Sequence, residues 1–186
     1  MDKVYVEATY KSLNKLNEEL CGDRVEIVKN DDSYFVVLSD GLGSGVKANI
    51  LSTLTSKIIS TMMFQGASIE DTVETIVHTL PVCSVRKVAY STFMILQIDY
   101  DGNAYLVEFD SPGCIFVRDG RLMNIEYNYR SIAGKEIKEA HFKVKPNDFM
   151  MLLSDGVVYA GIGELMNLGL SLIHISEPTR HAQISY

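Results

Sequence analysis

The chain has 186 residues, 47% of them hydrophobic and 22% charged, which suits one domain with a packed core and speaks against wholesale disorder. Its formal charge of −7 offers no basic stripe to neutralise a phosphate backbone, so nucleic acid is not an expected partner. Cys21, Cys83 and Cys114 are odd in number, widely spaced and outside any Cys-x-x-Cys pattern, which argues against a disulfide framework or a zinc site.

Met1 to Asn14 carries charges and no apolar signal core, and no apolar run has the length of a bilayer. The expectation is a cytoplasmic chain without a membrane partner. Val4 to Ala8 alternates apolar and polar residues and predicts a strand. Arg24 to Lys29 and Tyr34 to Ser39 predict two more, joined through Asn30-Asp31-Asp32-Ser33 as a hairpin.

The period then changes. Val46, Ile50, Leu51, Leu54, Ile58, Ile59, Met62 and Met63 recur at steps of three and four and describe one face of a helix ending near Gly66. Ser68 with Asp71 resembles a capping box for a second helix, which carries Ile69, Val73, Ile76, Val77 and Leu80 before Pro81.

Beyond Arg86 the pattern predicts strands over Val88 to Ile98, Ala104 to Phe109, Ile115 to Val117 and Leu122 to Ile125. They are separated by Asp101-Gly102, Ser111-Pro112-Gly113 and Asp119-Gly120. A last pair, Ile137 to Val144 and Phe149 to Ser154, flanks Pro146-Asn147-Asp148. Strands, two helices and a long strand meander predict an α+β layered domain.

From Leu170 to Arg180 the sequence closely resembles the translation of a sequencing-library adaptor over eleven consecutive residues. The expectation is a domain over residues 1–169, incomplete at its C-terminus, with 170–186 as an adaptor-derived tail.

The chemistry is concentrated in a repeated tetrapeptide. Leu38-Ser39-Asp40-Gly41 and Leu153-Ser154-Asp155-Gly156 each close an apolar run. Two strands ending side by side would bring two carboxylates together, an arrangement that calls for a cation or a proton between them. Clustered oxygens suit hard divalent ions. Asp-Gly also makes simple turns, and at Asp101 and Asp119 that explanation suffices because strand-like runs follow. At Asp40 a glycine-rich loop and a long helix follow instead, so turn and metal ligand stay equally open from spacing.

Gly41, Gly43 and Gly45 could cradle a phosphate, yet the spacing is not Gly-x-Gly-x-x-Gly and Lys47 has no Walker partner. Nucleotide binding is the minor alternative. His78, His141, His174 and His181 are scattered, and no Gly-x-Ser-x-Gly elbow is present.

Val37-Leu-Ser-Asp-Gly-Leu-Gly-Ser-Gly45 with Lys47-Ala-Asn resembles the signature of the SpoIIE-like phosphatases, a branch of the type 2C (PPM) metal-dependent serine/threonine protein phosphatases. Gly22-Asp23, Tyr90-Ser91-Thr92 and Met151-Leu-Leu-Ser-Asp-Gly156 extend the resemblance from about Val4 to Gly169. It implies a PP2C-like α-β-β-α sandwich of two antiparallel sheets flanked by helices, and two Mn²⁺ or Mg²⁺ ions. By the same resemblance, Asp23 binds one metal, Asp40 bridges both, the Gly41 carbonyl serves the second, and Asp155 completes the first. Asp40 and Asp155 would then be central to hydrolysis of phosphoserine or phosphothreonine in a phosphoprotein, of which an anti-anti-sigma-like regulator is one example. A non-catalytic PP2C-like regulatory or binding domain is the alternative.

Two departures stand out. The Asp-Asp-x-Thr segment with which such proteins usually end has no match here, so the given chain is expected to bind metal weakly. Met94 occupies a position often acidic in the family, and its neighbours Phe93 and Ile95 point to packing there.

Overall fold

The computed structural model describes residues 3–14, 18–79 and 91–158. Its first hairpin is closed by a side chain. Asn30 Oδ1 accepts hydrogen bonds from the backbone N–H of Asp32 (2.9 Å) and Ser33 (2.8 Å), turning β1 (Asp23–Lys29) into β2 (Ser33–Gly41). The predicted connection is found where the sequence placed it.

Two helices follow. α1 spans Gly45–Phe64 and α2 spans Ile69–Thr79. Ser68 caps α2, its Oγ accepting the Asp71 N–H at 3.0 Å, as the capping pattern predicts. At the other end Lys135 Nζ donates to the Val77 carbonyl at 2.9 Å and satisfies one of the helix's terminal acceptors. Ile69, Val73, Ile76 and Val77 are all buried, each contributing roughly 1.5–3 kcal/mol of apolar burial.

The strand meander forms β3 (Ser91–Asp99), β4 (Asn103–Phe109), β5 (Cys114–Arg118), β6 (Arg121–Leu122), β7 (Asn128–Ile132), β8 (Lys135–Lys143) and β9 (Phe149–Leu152). Six strands pair in the order β1-β2-β3-β4-β8-β7, and three form a second sheet, β6-β5-β9; every pairing is antiparallel. Asp119-Gly120 and Ala133-Gly134 make the β5–β6 and β7–β8 turns, both residues of each at positive φ, the geometry that matches strand twist in a two-residue hairpin.

Two cores separate three layers. Phe35, Val37, Phe93, Ile95 and Val107 pack under Ile59, Met63, Val73 and Ile76 of the helices. On the opposite face Leu38, Met94, Leu96, Leu106 and Ala140 meet Cys114, Met150 and Leu152 of the second sheet. Arg118 of β5 also ties the sheets, its Nη2 donating to the Lys143 carbonyl of β8 at 2.8 Å while Nε and Nη2 pair with Asp148 Oδ1 and Oδ2 before β9 at 2.8 and 2.7 Å. This is the expected α+β arrangement of stacked antiparallel sheets under helices.

Several local expectations need correction. Val4–Ala8 is not a strand. Val4 N–H reaches the Tyr100 carbonyl at 2.8 Å, and Val4 and Val6 pack on the inter-sheet core, but no ladder forms. Leu122 to Ile125 shortens to the two-residue β6, and β7 was not anticipated because its Asn-Tyr-Arg-Ser-Ile sequence lacks a clean apolar alternation.

The face of α1 also differs. It turns Ala48, Ser52, Thr55, Ser56, Ile59, Ser60 and Met63 inward and leaves Val46, Ile50 and Leu54 55–61% exposed. Small side chains win because the helix lies tight on β1 and β2. The buried hydroxyls of Ser52, Ser56 and Ser60 stay satisfied by donating to carbonyls three residues earlier in the helix.

Cys83, Tyr90, His174, His181, the domain end at Gly169 and the tail at 170–186 lie outside the described residues, as does the start of the strand predicted from Val88. Among the described residues no helix is long and apolar enough to cross a membrane.

Candidate functional site

The hairpin register sets the first pair of carboxylates. Asp23, the first residue of β1, stands directly opposite Asp40, the penultimate residue of β2. The third arrives from the other sheet: β9 ends at Leu152, the buried Leu153 and Ser154 follow, and Asp155 opens the short helix α3 (Asp155–Val158). Asp40 is the carboxyl on which both neighbours act. Burial, then the negative charges of Asp23 and Asp155, and hydrogen bonds from its protonated form to both push its carboxyl up to about 8.

The backbone around Asp40 is held by hydroxyls. Ser39 and Ser91, both fully buried, share a 2.8 Å hydrogen bond, and Ser91 Oγ donates to the Asp40 carbonyl at 3.0 Å. Gly41 N–H donates to the Gly22 carbonyl at 3.1 Å, pinning the end of β2 to the chain entering β1. From the second sheet, Ser154 Oγ donates to Asp23 Oδ2 at 2.8 Å. Attention to the aspartates alone misses these serines. The signal for two of them was the tetrapeptide repeat itself, which carries a serine before each aspartate.

Every donor in the cluster is an oxygen, which fits a hard divalent ion and not a soft one. A cation would relieve both the burial and the repulsion that Asp40 experiences as an anion. Asp155 is exposed and Asp23 half-buried, and among the described residues no three His, Cys, Asp or Glu side chains are already gathered into an ion-holding group. The chemistry of the set fits the ion; the set is not a closed cage.

A small cavity borders Asp40, lined also by Thr92, Met94, Ser111 and Ser154. Met94 is wholly buried between the sheets, opposite Leu38 and Glu108 in register, so it serves packing there as its apolar neighbours suggested.

The glycine-rich loop is occupied by the chain itself. Ser44 Oγ donates to Glu18 Oε1 at 2.7 Å, and Glu18 Oε2 lies where a side chain on Gly45 would stand. A carboxylate at the N-terminus of α1 suits the helix dipole and counts against a phosphate cradle at the same place. His78 bonds the Glu74 carbonyl and His141 stacks on Tyr105; neither is tied to the carboxylates.

Solved structures share this fold. The PP2C phosphatase domain of SpoIIE from Bacillus subtilis, with a fragment of its regulatory domain, superposes with a TM-score of 0.71 at 19% identity, covering 92% of this chain and 51% of that one. RsbX in complex with magnesium gives 0.61 at 19% identity, covering 91% and 85%. The S. agalactiae serine/threonine phosphatase gives 0.62 at 15% identity, again covering 91% and 85%. The chain thus spans about half the length of the first of these. No curated protein matches it.

The fold is therefore that of the PP2C-type phosphatase domains. Within that class the chain belongs to the SpoIIE family, whose model, Stage II sporulation protein E (SpoIIE), matches residues 30–180.

Proposed function

We propose that the domain hydrolyses phosphoserine or phosphothreonine in a regulatory phosphoprotein, using two divalent ions held by Asp23, Asp40, Gly41 and Asp155. The observation that carries this is the pairing of Asp40 with Asp23 across the β1–β2 ladder, with Ser154, the residue before Asp155, hydrogen-bonded to Asp23 from beyond β9. The family and the magnesium bound by the similarly folded RsbX support it.

When bound, Mn²⁺ or Mg²⁺ would lower the pKa of a water toward neutrality and offset charge on the phosphoryl oxygens. The protein's own groups do the positioning. Asp40 would be shared between the ions, Asp23 and Asp155 would complete one, and the Gly41 carbonyl would serve the other. The Ser39–Ser91 pair keeps the Asp40 backbone rigid, so that the carboxylate need not reorganise during the reaction. An anti-anti-sigma-like regulator is the class of substrate that the family resemblance favours.

The test is Mn²⁺-dependent release of phosphate from a phosphoserine peptide by the domain expressed from its natural gene. Asp40→Asn should abolish turnover while the circular dichroism spectrum is retained. A folded parent that releases no phosphate with either ion would refute the proposal.

A non-catalytic regulatory domain is the second reading, favoured by the exposure of Asp155 and, among the described residues, by the lack of three gathered His, Cys, Asp or Glu side chains. It predicts partner binding that survives Asp40→Asn.

A further inference from the structure

We propose that Ser154 is a positioning residue for this centre, holding Asp23 so that the acidic cluster is assembled only when the two sheets are docked. The inference rests on the metal-centre reading and deepens it. Ser154 is 7% exposed and lies just past β9, whereas Asp23 opens the edge strand β1 of the other sheet, 131 residues away in sequence. Its hydroxyl donates to Asp23 Oδ2 at 2.8 Å. Apart from the protonated carboxyl of Asp40, it is the one side chain among the described residues that donates to this carboxylate.

A neutral hydroxyl is the right group for the task. It donates a charge-assisted hydrogen bond to one carboxylate oxygen and sets the rotamer without adding a charge that would compete with a cation. Ser154 takes up Asp23 Oδ2 and leaves Oδ1 to an ion. A lysine or arginine in the same place would neutralise the carboxylate instead.

The twin serine shows that the contact is not a general property of the motif. Ser39 occupies the same place in its own Leu-Ser-Asp-Gly run, yet its hydroxyl goes to Ser91 Oγ and the Thr92 carbonyl within a single sheet. Ser154 alone of the two reaches across the sandwich. The link also explains how an exposed helix start and an edge strand come to share one site: each is immobilised by the other.

The experiment is Mn²⁺ titration calorimetry on the folded domain from its natural gene, with thermal melting in chelator as a separate readout. Ser154→Ala should weaken Mn²⁺ binding about 10–100-fold, the usual effect of removing an outer partner of a metal ligand. Ser154→Thr, which keeps the hydroxyl, should restore most of it. In an Asp23→Asn background Ser154→Ala should add little, because the two act through one contact.

Parent-like affinity in Ser154→Ala would overturn the role of Ser154 while leaving the metal centre standing. An undiminished effect in the Asp23→Asn background would do the same. If Ser154→Ala does not fold, Ser154→Thr decides: affinity reduced as much as by Asp23→Asn, in a protein of unchanged melting temperature, would contradict a hydroxyl-mediated role. A parent that takes up no Mn²⁺ would overturn both this inference and the reading beneath it.

Discussion

Gly41 lies so close to the backbone of Ala48 that a side chain at position 41 would collide with the first turn of α1. The residue next to Asp40 is thus also the point at which the helix seats on the sheet. Gly22 repeats the theme, since an added Cβ there would sit 3.2 Å from Ala48 Cβ. The small side chain of Ala48 on the inward face of α1 follows from these two approaches.

Gly41→Ala should therefore push α1 off β2, destabilising the fold by about 1–3 kcal/mol as overpacked substitutions do, and displacing Asp40 with it. Urea denaturation would read the first effect and Mn²⁺ titration the second. A variant with parental stability would show that the helix has room to retreat.

Asp40→Asn should separate stability from metal binding. Without metal the folded parent must protonate this carboxyl or bear its desolvation and repulsion, costs that Asn does not carry. In chelator the variant should be more stable than the parent, by about 1–3 kcal/mol after allowance for solvent screening. Added Mn²⁺ should raise the parent's melting temperature and leave the variant's almost unmoved.

Glu108 supplies a pH dependence away from the cluster. It is 1% exposed on β4, takes a 2.7 Å hydrogen bond from Tyr127 Oη, and pairs in register with Met94 and Lys138. Burial raises its carboxyl above the ordinary 4.5, partly opposed by Tyr127, Lys138 and the Cys114 backbone. With the folded value above the unfolded one, its contribution is fully present below about 4.5 and is lost as pH rises through the folded value. Glu108→Gln, which cannot ionise, should gain on the parent in melting temperature as pH rises above about 4.5. A difference constant over that range would contradict the assignment.

Ala133 is exposed and sits at φ 50° in the β7–β8 turn, a conformation that costs a non-glycine residue. Ala133→Asn, better suited to the left-handed region, should stabilise the domain by about 0.5–1 kcal/mol. Chemical denaturation with an unchanged m-value is the check.

What could be read from the residues was what depends on neighbours in the chain. The Asn30 turn, the Ser68 cap and the Asp119-Gly120 hairpin are each closed by atoms a few positions apart, and their residue types announce them. The twin Leu-Ser-Asp-Gly runs likewise drew attention to Asp40, near the end of β2, and to Asp155, which the structure puts past β9 at the start of α3 and not at a strand end.

Tertiary packing decided the rest. Periodicity shows that α1 has an apolar ridge but not which side meets the sheet; the side that packs carries Ala48, Ser52, Thr55, Ser56 and Ser60, and at Ala48 the close approach of Gly41 and Gly22 requires a small residue. The extended Val4 to Ala8 has a strand's alternation but forms a single backbone bond to Tyr100, since alternation supplies no ladder partner. The hydrogen bond from Ser154 to Asp23 joins residues with no local relationship; only the stacking of one sheet on the other brings that hydroxyl to that carboxylate.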